Sequence, residues 1–390
     1  MKKIKKKKVN TKKILLVVIP LLIIILLFIN RINIIHFYQS KITGYEFDTI
    51  GVFHELNIYD EVKKHPRSDT LEKIVKTEYY NPKYLDNYLA INYHDKDEYF
   101  NTINKLLDIG YNNDEINDIY NDLKDESIIL LTDYDYLKDI STILDLPYFN
   151  EEALKRYLEY RKNKDIGYED LITYVNAYLD YEYYTNVIDI DNPEDTKVLV
   201  NKYHKLASDY VPSDLEEINP KYNKGANNKL KHVAREAFEK MCEGALQDNI
   251  KIYSGSAYRS YNYQLNLYNR YVITNGFANA ETFSARAGYS EHQTGLATDV
   301  MNARIDYISK SDKEYDWLIN NSYKYGFILR YPEGKENITG YMYEEWHFRY
   351  LGEELATELY NSGLTYEEYV ARNSQKKSWQ IACIIIELCM

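Results

Sequence analysis

The sequence predicts an α+β domain, built on a small mixed or antiparallel sheet with flanking helices, behind a mostly helical region and an N-terminal apolar helix. Three observations predict it. A charge-free apolar run follows a lysine block at the start of the chain. Apolar and tyrosine residues then recur at spacings of three and four through residues 36–196. Over residues 197–370, short β-like runs mix with amphipathic stretches without strict alternation. A chain of 390 residues, 45% hydrophobic and 28% charged, has the make-up of a globular protein with more than one folded unit.

The first segment, residues 1–13, reads MKKIKKKKVNTKK and carries eight lysines and no acid. Residues 14–35 open with ILLVVIPLLIIILLFI, interrupted only by Pro20, and resume after Asn30 and Arg31 with Ile32, Ile34 and Ile35. Crossing a bilayer takes about 20 apolar residues. The expectation is a single-pass membrane anchor with the lysine cluster in the cytoplasm and everything after residue 35 outside. A cleaved signal peptide is the competing reading, but no Ala-x-Ala-like site follows the run. No cysteine follows it either, so a lipid-anchored form is not indicated.

Residues 36–196 read as short helices. Tyr84, Leu85, Tyr88 and Leu89 share a helical spacing, as do Leu154, Tyr157 and Leu158. Asn81-Pro82 and Asn150-Glu151-Glu152 resemble helix starts. The triplets Ile109-Gly110-Tyr111 and Ile166-Gly167-Tyr168 hint at a degenerate helical repeat. The 43 tyrosines of the chain suggest half-buried helix faces with the phenol tip in water, although a drift in genome composition produces the same bias. No catalytic constellation appears here, and a spacer or docking region is the default reading.

Near residue 195 the character changes. Val211-Pro212 and Asn219-Pro220-Lys221 read as loop, and 226–247 as one amphipathic helix. Strands are expected at Lys251–Ser256, Leu296–Met301, Phe327–Tyr331 and Glu345–Leu351, with helices at Asn262–Thr274 and Tyr315–Tyr325. The tail, 371–390, ends in an apolar run too short to span a bilayer, and no function attaches to it.

Charge and cysteine content narrow the function. The formal net charge is −12, and the body beyond the lysine block holds 40 basic against 60 acidic residues. A nucleic-acid partner demands a basic face, so none is expected. Cys242, Cys383 and Cys389 are too few and scattered for a disulfide framework or a four-cysteine zinc site. Any zinc must be held by histidine and carboxylate.

Two segments supply such ligands. Ser290-Glu291-His292-Gln293-Thr294-Gly295-Leu296-Ala297-Thr298-Asp299 offers an imidazole and a carboxylate; Glu344-Glu345-Trp346-His347 offers a second imidazole and spare acids. Three protein ligands leave a fourth position for water, and zinc lowers the pKa of that water to about 7. A neighbouring carboxylate then takes the proton and delivers it to the leaving amine. Gly295 and Ala297 let the chain turn and pack between His292 and Asp299. Isolated histidines are usually structural, and the chain has eight, but chance does not readily produce this whole spacing. Glu344 and His347 are three apart and in a regular strand would face opposite ways. Either Glu344 lies in the turn before the strand, or the strand is bulged; Glu345 is the rival base.

These residues resemble the VanY-type D-alanyl-D-alanine carboxypeptidases, a zinc-dependent cell-wall peptidase family with a mixed α+β fold. The resemblance covers roughly residues 197–365 and includes Ser256-Ala257-Tyr258-Arg259-Ser260, Gln264, Gly288 to His292, Gly326 to Pro332 and Glu344 to Tyr350. It implies one zinc per chain on His292, Asp299 and His347, and Glu344 as general base. Glu345 stands where the family often has proline. Arg259 is expected to pair with either the substrate's terminal carboxylate or the oxyanion. Gln264 and Ser290 are candidate substrate-binding residues, or else cap a helix or orient His292. Trp346 and Tyr289 are expected in pocket wall or core. The implied activity is removal of the C-terminal D-Ala from peptidoglycan stem peptides. The alternatives are L,D-carboxypeptidase action on tetrapeptide stems, and a non-catalytic wall-binding or sensory protein on the same fold. The motif does not choose between the two bonds, whereas the intact set of ligands and base argues against the non-catalytic reading.

Overall fold

The computed structural model describes residues 11–96, 98–162, 164–225 and 228–373. The tail beyond Asn373, with Cys383 and Cys389, lies outside the described residues, as does most of the basic segment 1–13. The chain divides into two compact units, Met1–Leu144 and Asp145–Met390.

Among its described residues the first unit contains helices and no strands. It begins with Thr11–Ile29, interrupted by no charge after Lys13, and Arg31–Thr43. Every apolar side chain from Val18 to Ile29 is exposed. Among the described residues no single helix is long and apolar enough to cross a membrane; Val18–Ile29 and Arg31–Thr43 pass that test only as a pair, bent by 62°. The following helices are short, and their stripes close on a core that includes Ile50, Phe53, Leu71, Ile103, Leu106 and Ile116. The side chain of Asn81 caps the turn Pro82–Tyr84, as its sequence signature suggests.

Some of the tyrosines depart from the expectation. Tyr88, Tyr99 and Tyr120 are buried, and their phenol tips bond to protein rather than to water. Tyr88 donates to Asn104 Oδ1 at 2.5 Å and Tyr99 to the Asn92 carbonyl at 2.7 Å. Buried hydroxyls need such partners, and the many Asn and Thr neighbours provide them. The two Ile-Gly-Tyr triplets are not equivalent. Gly110 ends a helix in the left-handed region at φ 115°, whereas Gly167 precedes one at φ −66°.

The second unit starts before the change of composition. Helices Leu154–Arg161 and Tyr168–Asn176 belong to it, tied by Asn176 Nδ2 to the Ala371 carbonyl and by Arg372 Nε to Thr173 Oγ1. Its centre is a four-stranded sheet: β1 (Tyr253–Ser256), β2 (Ala297–Met301), β3 (Phe327–Leu329) and β4 (His347–Tyr350). The order is β1-β2-β4-β3, and every neighbouring pair is antiparallel. One face packs on helix α1 (His232–Gln247). Phe238 and Met241 of α1 meet Val300, Phe327 and Phe348 of the sheet in a single core. That burial drives the docking, because alternation places these three strand residues on one side and frees the other side for polar groups.

Two expectations shift. The helix predicted from 226 begins at His232, and Lys229–Lys231 is instead a strand paired with Leu215–Glu217. Leu230 fits both patterns; the pairing with a preceding acidic strand decides between them. Helices α2 (Tyr261–Asn275), α3 (Phe277–Phe283) and α4 (Glu353–Ser362) flank the sheet, of which only α2 was legible beforehand.

Candidate metal centre

Sheet register brings the first two groups together. Asp299 in β2 and His347 at the head of β4 are direct cross-strand partners. Both lie opposite the core-facing Phe348 and Val300. His292 arrives from the 3₁₀ turn Glu291–Thr294, which Gly295 closes at φ 68° before β2 begins. The positive φ favours glycine at 295, and a Cβ there would also crowd Leu215 Cδ2 at 2.8 Å and the Lys231 backbone nitrogen at 3.2 Å.

One candidate ligand atom from each of His292, Asp299 and His347 lies within 4.8 Å of the others, and all three residues are buried. Asp299 Oδ1 stands 3.3 Å from His292 Nε2 and 3.2 Å from His347 Nδ1. The two rings are nearly perpendicular, at 88°. His292 Nδ1 donates to the Ala257 carbonyl at 2.7 Å, which leaves the Nε2 lone pair free toward Asp299. Asp299 Oδ1 is buried with no hydrogen-bond partner, while Oδ2 accepts from Arg259 Nη2. A buried carboxylate oxygen facing two imidazole nitrogens suits a divalent cation such as zinc.

Glu344 occupies the turn before β4. Its N–H donates to the Tyr331 carbonyl, and its Oε2 lies 3.7 Å from His347 Nδ1. The strand begins only at His347, which resolves the spacing of three. Glu344 lines a cavity of about 350 Å³ together with the three cluster residues, Arg259, Gln264 and Ser290. Glu345 is not among the lining residues. Arg259 is steered by Ser256 Oγ, which accepts from its Nε at 3.1 Å. Gln264 is buried on α2; its Nε2 donates to the Ala285 carbonyl at 2.8 Å, and its Oε1 is unpartnered. Ser290 is buried in the wall and makes no capping bond with its side chain. Trp346 lines the cavity, whereas Tyr289 stacks edge-on against Tyr184 away from it.

The electrostatics separate the roles. Burial pushes Glu344 up to about 7, although the His347 charge opposes this. Burial lowers His292 to about 4, assisted by the Arg259 guanidinium. Burial would also lower His347, but Asp299 and Glu291 outweigh it and raise the ring to about 9. Asp299 is held well below the carboxylate range: burial works against ionisation, and the Arg259 guanidinium and the protonated His347 overcome it. At pH 7 the metal-free site therefore holds a neutral His292, an ionised Asp299 and a protonated His347. A cation bound at His347 Nδ1 must displace that proton. Zinc binding at pH 7 is expected to release at least one proton, that of His347, with a further fraction from Glu344, and its apparent affinity to rise roughly tenfold or more per pH unit until about pH 9. Calorimetry in buffers of different ionisation enthalpy reads the proton count; a count near zero contradicts the assignment.

Glu291 was in view inside the motif but carried no role. It lies beneath His347 and meets two arginines, Arg330 and Arg349, which come from distant segments. Only the fold brings these together.

Two imidazoles, a carboxylate and a separate buried acid at the floor of one cavity define a metal-dependent hydrolase. A family model described as VanY: D-alanyl-D-alanine carboxypeptidase matches residues 227–353. The putative carboxypeptidase YodJ of Bacillus subtilis (strain 168) is 35% identical over 211 residues, which are 49% of this chain and 75% of that protein. The bifunctional D-Ala-D-Ala dipeptidase and D-Ala-D-Ala carboxypeptidase VanXYC of Enterococcus gallinarum is 33% identical over 180 residues, 45% of this chain and 93% of that one. Among solved structures, the LdcB LD-carboxypeptidase aligns at 35% identity with a TM-score of 0.46, covering 48% of this chain and 91% of its own. The chain belongs to the VanY family.

Proposed function

We propose that this chain is a zinc-dependent carboxypeptidase that removes the terminal D-alanine from the D-alanyl-D-alanine end of peptidoglycan stem peptides. The observation that carries the reading is the meeting of His292, Asp299 and His347 beside a spare buried acid, in a cavity that a guanidinium also lines.

His292 Nε2, Asp299 Oδ1 and His347 Nδ1 would hold the ion. When bound, zinc supplies Lewis acidity and a lowered pKa for water. Glu344 takes a proton from the attacking water at Oε2 and passes it to the departing amine of D-alanine as the C–N bond breaks. Its burial keeps that carboxyl near neutrality, so it both accepts and returns the proton. Arg259, held by Ser256 and Asp299, receives the terminal carboxylate of the substrate. Gln264 and Ser290 line the same cavity and are the further substrate-binding candidates. Leu267, Tyr271, Phe283 and Met342 complete an apolar lining suited to methyl groups.

Purified protein incubated separately with pentapeptide and tetrapeptide stems tests the bond. Mass analysis should show loss of one alanine from the pentapeptide. Loss from the tetrapeptide alone reassigns the activity to L,D cleavage, and zinc content near one with neither product supports the non-catalytic reading. Arg259→Met is expected to raise KM roughly ten- to hundredfold, the worth of a charge-assisted hydrogen bond of about 1.5–3 kcal/mol. Steady-state kinetics at verified zinc content read this; an unchanged KM with a lowered kcat moves Arg259 to the oxyanion.

Residues 14–35 are proposed as the membrane anchor, with residues 1–13 cytoplasmic and the catalytic unit outside. A helix apolar on every side has no soluble face, and Val18–Ile29 is such a helix. The full chain should sediment with membranes and expose a C-terminal tag to external protease, while a chain lacking residues 1–35 should stay in solution. A full chain found in the soluble fraction rules the anchor out.

A further inference from the structure

Beneath the metal cluster lies a set of buried charges that the proposed reaction leaves without a task. Glu291 immediately precedes His292 on the 3₁₀ turn, and its side chain has no exposure. Its Oε1 accepts from Arg330 Nε and Arg349 Nη1, each at 2.8 Å. Arg330 is gripped on its far side by Glu367, through Nη1 to Oε2 at 2.9 Å and Nη2 to Oε1 at 2.5 Å. Arg349 Nη2 is tied to the carbonyls of Thr196 and Val198 at 3.0 and 2.7 Å. Two carboxylates and two guanidiniums balance, so the cluster brings no net charge into the interior.

The second oxygen of Glu291 faces elsewhere. Oε2 is buried and takes no hydrogen bond from the arginines; it stands 3.4 Å from His347 Nε2, which is buried and likewise otherwise unpartnered. The opposite nitrogen of that ring, Nδ1, is the one turned to Asp299. An imidazole ligates through Nδ1 only when Nε2 keeps its proton, and a buried N–H left without an acceptor is costly.

We infer that Glu291 is a positioning residue for the metal: its Oε2 accepts the Nε2–H of His347, and so fixes the tautomer and direction of that ligand. Arg330, braced by Glu367, and Arg349, braced by backbone carbonyls, hold the carboxylate against rotation. His347 thus differs from His292, whose Nδ1–H is held by a backbone carbonyl. The two imidazoles present opposite nitrogens to the ion, one fixed by a charge and the other by a dipole.

The inference rests on the metal reading above, and the test separates the two. Full-length protein labelled with ¹⁵N-histidine and loaded with zinc should show two metal-bound rings, one protonated at Nε2 and the other at Nδ1. Two rings both protonated at Nδ1 overturn the inference and leave the metal reading intact; a wild-type chain that takes up no zinc removes both. In chelator competition, Glu291→Gln should bind zinc roughly 10- to 100-fold more weakly, with Glu291→Asp in between. A purely structural role would lower thermal stability without changing zinc affinity. A folded Glu291→Gln protein with wild-type affinity therefore also overturns the inference. Should that variant fail to fold, the wild-type nitrogen spectrum decides alone.

Discussion

Replacing Glu344 by glutamine should lower kcat by roughly 10²- to 10⁴-fold, the range that a positioned proton carrier contributes. Zinc content should remain near one per chain. Glutamine keeps the size and the hydrogen-bonding reach of the side chain but cannot accept and return a proton. The acid is buried in the cavity wall 3.7 Å from His347 Nδ1, beside the candidate ligands yet outside the tighter set formed with Asp299. Its elevated pKa of about 7 reflects burial; a bound cation adds positive charge nearby and draws that value down. The acid limb of the kcat/KM profile should accordingly lie below 7, with activity falling as pH drops and the carboxyl takes up its proton. Glu345→Gln is the control, expected to change the rate only a few-fold because its side chain does not line the cavity. Discontinuous assays of released D-alanine measure both variants. Equal losses, or a larger loss for Glu345, would move the base to the neighbouring acid.

Asp299→Asn should cost more than roughly 100-fold in zinc affinity, beyond the loss expected when an outer hydrogen-bonding partner of a ligand is removed. Asp299 is the hinge of the cluster. One oxygen faces both imidazoles, and the other binds Arg259. Asparagine retains the shape but removes the negative charge that holds His347 protonated in the metal-free chain and offsets the cation in the loaded one. Turnover should vanish and not return when zinc is added in modest excess. Wild-type protein stripped by a chelator should regain activity under the same addition. Elemental analysis and the rate assay, run in parallel, check the contrast; an active Asp299→Asn protein with stoichiometric zinc would falsify the ligand assignment.

Much of the centre was legible because it is local. His292, Gly295 and Asp299 lie within a single turn and strand, so their spacing already encodes the approach of an imidazole to a carboxylate. His347 was legible through its neighbours rather than its partner: no short-range pattern states that it stands across from Asp299. The doubt over Glu344 came from assuming a strand through the whole segment. The strand starts at His347, and the backbone bond from Glu344 to Tyr331 sets the turn. Glu291 escaped notice because its meaning depends on Arg330 and Arg349, and isolated arginines in strand-like runs look like surface charges. In the fold, the alternation along β2 and the helical period of α1 were readable. Lys229–Lys231 was not, since three residues give no period and its partner strand determines its state. The buried tyrosines fall in the same class: a hydroxyl is tolerated inside only where a particular Asn, Thr or carbonyl meets it, and that is a long-range fact.

The facing positions of Asp299 and His347 have a consequence for assembly. Their spacing is imposed by the backbone ladder, so the cradle exists before any ion arrives, and capture does not have to organise the chain. The same arrangement makes errors conspicuous. If β4 docked one residue out of step, His347 would be thrust among Phe238 and Val300, and Phe348 would point into the cavity. Such a molecule could neither bury its apolar side nor hold an ion. Misassembly should therefore yield unstable, inactive protein rather than a folded enzyme with a loose or misdirected centre.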